Sequence, residues 1–161
     1  MDTPALIERL QDAPADCLGA VIAESEAQGL RFIRRLAEEW TRAINRFDGP
    51  GEALFVARTV GDVGGVCGLN VDPYTAEPNV GRVRHLYVLL AHRGRGVGRQ
   101  LVAEVIEAAR GGFEVLRLRT ENPGAARLYE RLGFRRCAGA LDCTHVMELG
   151  TYHLTARSPE G

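Results

Sequence analysis

The stretch LYVLLAHRGRGVGRQLVAEVIEAARGG, from Leu86 to Gly112, contains the pattern that decides the fold. Its first five residues are typical of a buried strand, and the turn Arg93-Gly94-Arg95-Gly96-Val97-Gly98 leads directly into an amphipathic helix. One face of this helix is apolar, the other is charged, and Gly111-Gly112 marks its end. The apolar positions are Leu101, Val102, Val105, Ile106 and Ala109.

The glycine turn predicts an anion-binding site. Glycine reaches backbone angles that a Cβ would forbid, so that several N–H groups can converge on one ligand. The following helix adds unpaired N–H donors and the positive end of its dipole. A diphosphate suits this arrangement, with Arg93, Arg95 and Arg99 close enough to assist. The alternative is a solvated loop, which the order of strand, turn and helix does not favour.

Three phosphate-binding patterns compete for this turn. A nucleoside triphosphate loop needs lysine followed by serine or threonine, whereas Gly98 is followed by Arg99-Gln100. A dinucleotide fingerprint needs its third glycine three positions after the second, which the glycines at 94, 96 and 98 do not provide, although Glu121 could imitate its acidic residue. The third pattern fits Arg93, Gly96 and Gly98. It consists of arginine or glutamine, any two residues, glycine, any one residue and glycine.

In this motif the chain resembles the GCN5-related N-acetyltransferase (GNAT) superfamily, whose acetyl-coenzyme A (acetyl-CoA) loop has that form. A second block, LRLRTENPGAARLYERLGF from Leu116 to Phe134, resembles the family's next strand, helix and strand entry. The two blocks follow the family's order and cover about residues 82–134. The resemblance implies a mixed, mostly antiparallel sheet with a splayed central strand and helices on both faces. It also implies acetyl-CoA as co-substrate.

Length and composition set the frame for this resemblance. A chain of 161 residues has the size of one domain, which we expect to span residues 1–161 with a loosely ordered tail at 151–161. The net charge of −1 argues against nucleic acid as the main partner. No apolar stretch is long enough to span a membrane and no signal peptide is evident, so we expect a cytoplasmic protein. The scattered cysteines and histidines predict reduced thiols, with Cys67 in the core, and no metal site.

The remaining pattern predicts alternating helices and strands, and hence a mixed sheet with helices on its faces. Two helices precede the sheet, the second with an apolar stripe from Phe32 to Ile44. A hairpin, a central strand, a further strand and two closing strands follow. These strands are expected at 53–59, 65–71, 82–90 and 115–120, with a hairpin turn at Gly61-Asp62 and the closing pair between 134 and 149 around Ala138-Gly139-Ala140.

The resemblance also implies roles for individual residues. Backbone groups of Leu86, Tyr87 and Val88 would pair with the pantetheine arm as though it were another strand. A backbone N–H near Val88 would then stabilise the charge on the thioester oxygen. Tyr129 would protonate the leaving thiolate, although helical pattern alone predicts a core tyrosine. Asn122 is an N-cap before Pro123, and the family role adds a hydrogen bond to the arm.

The general base is not assigned. Many family members place a glutamate on the central strand where this chain has Arg82. The candidates are His85, Asp72, Glu77, Asp142 and His145, and strand alternation indicates that His85 turns away from the acceptor. Arg82 and Arg84 are interpreted first as solvated residues of a strand edge; if they line the acceptor side, they favour an acceptor with a carboxylate or phosphate.

These expectations lead to an N-acetyltransferase that moves an acetyl group directly from acetyl-CoA to an amine of a small molecule or peptide. An acyl-CoA-binding sensor without catalysis is the alternative. A nicotinamide-dependent oxidoreductase is more distant, because the third glycine is misplaced. Dimerisation is common in families of this kind, so a homodimer is a further expectation.

Overall fold

A computed structural model describes residues 5–59, 62–139 and 141–150. Four helices and seven strands alternate along these residues. The helices are α1 Gly19–Ala27, α2 Phe32–Thr41, α3 Val97–Ala109 and α4 Pro123–Arg131. The strands are β1 Leu6–Arg9, β2 Ala53–Thr59, β3 Asp62–Val71, β4 Val80–Val88, β5 Val115–Leu118, β6 Arg135–Arg136 and β7 His145–Glu148. No helix within the described ranges is long and apolar enough to cross a membrane.

The strands form one sheet in the order β1-β2-β3-β4-β5-β7-β6. β4 and β5 are parallel because α3 crosses over between them, and the other described neighbours are antiparallel. This arrangement confirms the predicted mixed, mostly antiparallel sheet.

Two hydrophobic clusters pack on opposite faces of the sheet. The apolar stripe of α3 packs with Val83, Leu116 and Tyr129 on one face, where Cys67 is fully buried as predicted. α1 and α2 pack on the other face, around Tyr87. Helices therefore cover both faces, and residues of β4 reach both clusters.

β4 departs from a regular strand at two places. Val66 pairs with Tyr87 and Gly68 with Arg84, so that a single β3 residue, Cys67, lies opposite both His85 and Leu86. This β-bulge places His85 at a φ of 63°, in the left-handed region. On its other edge, β4 pairs with β5 only at its start, from Val80 to Arg82, and the two strands separate after that residue.

Several sequence-based boundaries were wrong. α2 ends at Thr41 and does not reach Ile44, because Ala43 adopts a φ of 59° and the side chain of Ile44 is exposed. The predicted central strand begins and ends two residues too late, and its neighbour is two residues shorter than predicted.

Other differences lie near the ends of the chain. β1 was not predicted, because four residues at a sheet edge give little periodicity. The closing pair exists as predicted, but β6 has only two residues and β7 begins at His145. Gly61, Ala140 and the predicted loose tail at 151–161 lie outside the described residues.

Candidate functional site

A cavity of about 1220 Å³ opens where β4 and β5 separate. Its wall contains residues of β4, the glycine turn, the N-terminal part of α3, the loop after β5 and one face of α4. Because the ladder between β4 and β5 ends at Arg82, the edge of β4 beyond that residue faces the cavity instead of a strand. The two motif blocks of the sequence therefore meet in one place.

The glycine turn lies at one end of this cavity. Gly94 and Gly96 adopt φ angles of 81° and 82°, which favour glycine. Gly96 is the N-cap of α3, and the first helical hydrogen bond runs from the N–H of Gln100 to the carbonyl oxygen of Gly96. The amides of Val97, Gly98 and Arg99 precede that bond and have no side-chain cap, so they remain available for an anion.

The arginines of the turn occupy different environments. Arg93 donates from Nε to the carbonyl oxygen of Val88 at 2.8 Å, and its guanidinium lies over the ring of Tyr87. Arg93 thereby fixes the turn to the end of β4. Arg99 lines the cavity, and Arg95 is exposed. Val97 is buried in the core, so only its backbone is available to a ligand.

The free edge of β4 presents backbone groups to the cavity. The N–H of Leu89 donates to the carbonyl oxygen of Gly64 on β3. Since the backbone groups of successive strand residues point to opposite edges, those of Val88 point toward the cavity. Leu86 and Val88 are half-buried beside the α3 cluster, and Tyr87 is buried on the other face.

Glu24 of α1 anchors this end of β4. One oxygen of its carboxylate accepts hydrogen bonds from the hydroxyl of Tyr87 at 2.8 Å and from the N–H of Leu90 at 2.9 Å. Burial and this carboxylate raise the pKa of Tyr87 to about 12. The side chain of Tyr87 is therefore held within the protein by Glu24.

Tyr129 of α4 contributes to the opposite wall. Its ring packs edge-on against Phe134, with centroids 5.5 Å apart, and is 5% exposed. Its hydroxyl makes no hydrogen bond with the described residues, although the side chain lines the cavity. Burial, with a smaller effect of Cys67, raises the pKa of Tyr129 above its ordinary value. The phenol therefore keeps its proton at neutral and moderately alkaline pH.

A hydrogen-bonded chain fixes the loop before α4. The carboxamide oxygen of Asn122 accepts from the N–H groups of Gly124 and Ala125 at 2.8 and 3.1 Å, which confirms the predicted N-cap. Thr144 accepts from the N–H of Thr120 and contacts Nδ1 of His145, whose Nε2 lies 2.8 Å from Glu130. Asn122 lines the cavity with its oxygen already engaged, so its amide nitrogen is the group left for a ligand.

His85 reaches the cavity because the bulge interrupts strand alternation. Its ring stacks on Phe32 and meets Phe47 edge-on, and Nε2 is buried without a hydrogen-bond partner. Burial, together with the charges of Arg84 and Arg35, lowers the pKa of His85 to about 3. The expectation that alternation turns His85 away was wrong, since the bulge adds one residue to the strand.

Arg82 is buried at the point where β4 and β5 separate. Its guanidinium donates to the carbonyl oxygen of Asp142 at 2.7 Å, lies 3.6 Å from the carboxylate of Asp72, and covers the ring of Tyr74. Arg84 is half-buried and also lines the cavity. The interpretation of Arg82 and Arg84 as solvated strand-edge residues was therefore wrong, because β4 is central and both side chains line the cavity.

The five candidates for the general base have different surroundings. Asp72 is buried between Arg82 and Arg117, and His145 is held by Thr144 and Glu130. Asp142 pairs with Arg117, and Glu77 is an exposed loop residue. His85 is the candidate that lines the cavity.

Some residues of the site were missed by sequence reasoning. Gln28, Phe32 and Tyr74 lie in the cavity wall, and Glu24 holds β4 from outside it. None belongs to a motif, and their positions depend on how α1 and α2 pack on the sheet. Among the described residues, no group of three or more histidine, cysteine or acidic side chains could hold a metal ion.

The sequence profile of the acetyltransferase (GNAT) domain matches residues 50–136 of this chain. Among curated proteins, N-alpha-acetyltransferase RimI of Mycobacterium tuberculosis is 48% identical over 46 residues, which are 29% of each chain. The uncharacterised N-acetyltransferase YjgM of Escherichia coli is 37% identical over 102 residues, which are 60% of each chain. The chain thus spans less than two thirds of the length of these relatives.

Solved structures share the fold over most of the chain. A proposed acetyltransferase from Exiguobacterium sp. 255-15 has a TM-score of 0.81 and 27% identity, over 96% of this chain and 100% of its own. YncA from Salmonella typhimurium, a proposed acetyltransferase solved with its cofactor acetyl-CoA, has a TM-score of 0.66 and 22% identity, over 91% and 95%. With the family profile covering more than half of its residues, this chain belongs to the GNAT acetyltransferase family.

Proposed function

We propose that this chain is a single-domain N-acetyltransferase that moves the acetyl group of acetyl-CoA directly to the amine of a small molecule or peptide. The observation that carries the proposal is the cavity itself, which combines the amides of the glycine turn, the free edge of β4 and the hydroxyl-bearing side chain of Tyr129. Acetyl-CoA supplies an activated thioester, and the protein must hold it, polarise its carbonyl group and provide a proton.

The residues present fit this co-substrate. The amides at the start of α3, with Arg93 and Arg99, suit the diphosphate, while a Cβ at Gly94 or Gly96 would strain the turn. The backbone of Leu86 to Val88 has the open edge that an extended amide chain can pair with. The carboxamide nitrogen of Asn122 would donate to the same chain from the opposite wall.

The same geometry supports a catalytic role for three groups. The N–H of Val88 would donate to the thioester oxygen and stabilise its developing charge. Tyr129 would donate its phenolic proton to the departing thiolate and recover a proton from solvent. Because the pKa of His85 is about 3, its imidazole is neutral and suited to accept a hydrogen bond from the amine. We propose that water takes the proton that the amine loses.

Calorimetric titration with acetyl-CoA, followed by an assay of thiol release with a panel of amines, tests this function. We expect one-to-one binding of acetyl-CoA, no binding of NADH or ATP, and release of thiol that depends on an amine. Binding without thiol release for any amine would favour an acyl-CoA sensor. Absence of binding by the folded protein would reject both functions. A cytoplasmic location and a homodimer stay predictions.

A further inference from the structure

We propose that the acceptor amine also carries an anionic group, a carboxylate or a phosphate, and that Arg84 binds this group. The inference rests on the function proposed above and concerns the part of the cavity away from the glycine turn. Gln28, Phe32 and Tyr74 form the wall there, together with Arg82, Arg84 and His85 of β4. If acetyl-CoA occupies the turn and the free strand edge, this region is left for the acceptor.

The charges around Arg82 are balanced within the protein. The carboxylate of Asp72 lies 3.6 Å from Arg82 and 3.5 Å from Arg117, and Arg117 also contacts Asp142 at 3.1 Å. Two arginines therefore face two carboxylates in this cluster. Its contacts hold Arg82 in place and leave no excess charge.

Arg84 lacks such compensation. Its guanidinium donates to the carboxamide oxygen of Asn70 at 3.4 Å, and that oxygen also accepts from Asn45. No carboxylate of the described residues lies within ion-pair distance of Arg84. A half-buried arginine with only a neutral partner retains its full charge and has donors for an anionic ligand.

The rest of the wall reinforces the positive field. Within the described part of the chain, the cavity wall contains one acidic side chain, Glu121, and this residue already pairs with Arg119 at 2.6 Å. Burial and the positive charges of Arg84 and Arg35 lower the pKa of His85, so its imidazole is neutral and adds no charge of its own to this wall. Such a field attracts an anion and repels an acceptor with several positive charges.

Matched pairs of acceptors test the inference in the thiol-release assay. The L-amino acids are compared with their amides, phosphoethanolamine is compared with ethanolamine, and spermidine represents polycations. We expect kcat/KM to be about tenfold or more higher for the anionic member of at least one series. Preference within the amino acid series indicates a carboxylate, and preference for phosphoethanolamine indicates a phosphate. Equal or better activity with the uncharged member of both series, or a preference for spermidine over every anionic acceptor, would overturn the inference.

Variants of Arg84 connect this preference to one side chain. For Arg84→Gln we expect the KM of the anionic acceptor to rise about 10- to 100-fold and the preference for the anionic over the uncharged member of each pair to be lost, with the affinity for acetyl-CoA within about twofold of the wild type. Arg84→Lys should recover part of the affinity for the anionic acceptor. The control Arg110→Gln, at the far end of α3, should leave both the KM of the anionic acceptor and the affinity for acetyl-CoA unchanged. An unchanged preference in folded Arg84→Gln would contradict the assignment.

The two proposals fail in distinguishable ways. Loss of acetyl-CoA binding, or absence of thiol release with every amine, rejects the transferase function and the acceptor inference together. Thiol release with neutral or cationic amines alone rejects the acceptor inference and keeps the transferase.

Discussion

The imidazole of His85 lies nearly parallel to the ring of Phe32, with centroids 6.3 Å apart and an interplanar angle of 21°. This contact adds to the burial of the ring, which together with the charges of Arg84 and Arg35 lowers the pKa of His85 to about 3. The folded protein therefore resists protonation of His85, whereas the unfolded chain takes up a proton near pH 6.5.

Stability should consequently fall as the pH drops from about 6.5 toward 3. The contribution of His85 to this loss is about 2 kcal/mol between pH 7 and pH 5. We expect His85→Gln to reduce the difference in unfolding free energy between these two pH values by that amount, as measured by urea denaturation. A histidine resonance of His85 that titrates near pH 6.5 in the folded protein would contradict this prediction.

Tyr129→Phe should separate chemistry from binding. The ring and its contact with Phe134 remain, but the hydroxyl that would protonate the thiolate is lost. We expect kcat to fall about 100-fold while the Kd of acetyl-CoA, measured by calorimetry, changes less than about twofold. Stability should also be retained, because the hydroxyl has no hydrogen bond within the described residues. An unchanged kcat would remove Tyr129 from the proton-donating role.

Two substitutions of Asn122 separate its capping of α4 from its proposed contact with acetyl-CoA. Asn122→Ala removes the cap of α4 and should lower stability by about 1 kcal/mol. Asn122→Ser keeps a capping oxygen but lacks the amide nitrogen, so stability should be retained while the affinity for acetyl-CoA falls several-fold. Thermal unfolding and calorimetry measure the two effects. Wild-type affinity in Asn122→Ser would show that the residue is a cap and nothing more.

The conformation of Gly96 should matter more than its size. A Cβ at this position would meet no atom within 4 Å, yet the φ of 82° is strained for alanine by about 1–2 kcal/mol. We expect Gly96→Ala to weaken acetyl-CoA binding about tenfold by displacing the amides at the start of α3. Gly19→Ala, which also meets open space but begins α1, is the control and should leave the affinity unchanged.

The sequence was sufficient for those parts of the site that depend on local pattern. The glycine turn, α3 and the capped start of α4 each carry their signal within a few residues, and the structure has them where they were expected. Local pattern does not give the position of the bulge at His85, because an extra residue in β4 is defined only by its register with Cys67.

Local pattern also could not predict whether a charged side chain of β4 is enclosed or solvated. Arg82 and Arg84 alternate with apolar residues as a solvated strand face would. Only the packing of α2 and the loop of Tyr74 over that face shows that they are enclosed. The same holds for His85, whose low pKa depends on Phe32 and on arginines from two elements.

The short ladder between β4 and β5 has a mechanical consequence. Three residue pairs join the part of the sheet that contains β1 to β4 to the part that contains β5 to β7. The ion pair of Asp72 with Arg117 and the hydrogen bond from Arg82 to the carbonyl oxygen of Asp142 cross the same boundary. A force that pulls the two parts of the sheet apart would act mainly on this short ladder between β4 and β5. An extended ligand bound along the free edge of β4 would span the gap and act as a brace between the two parts.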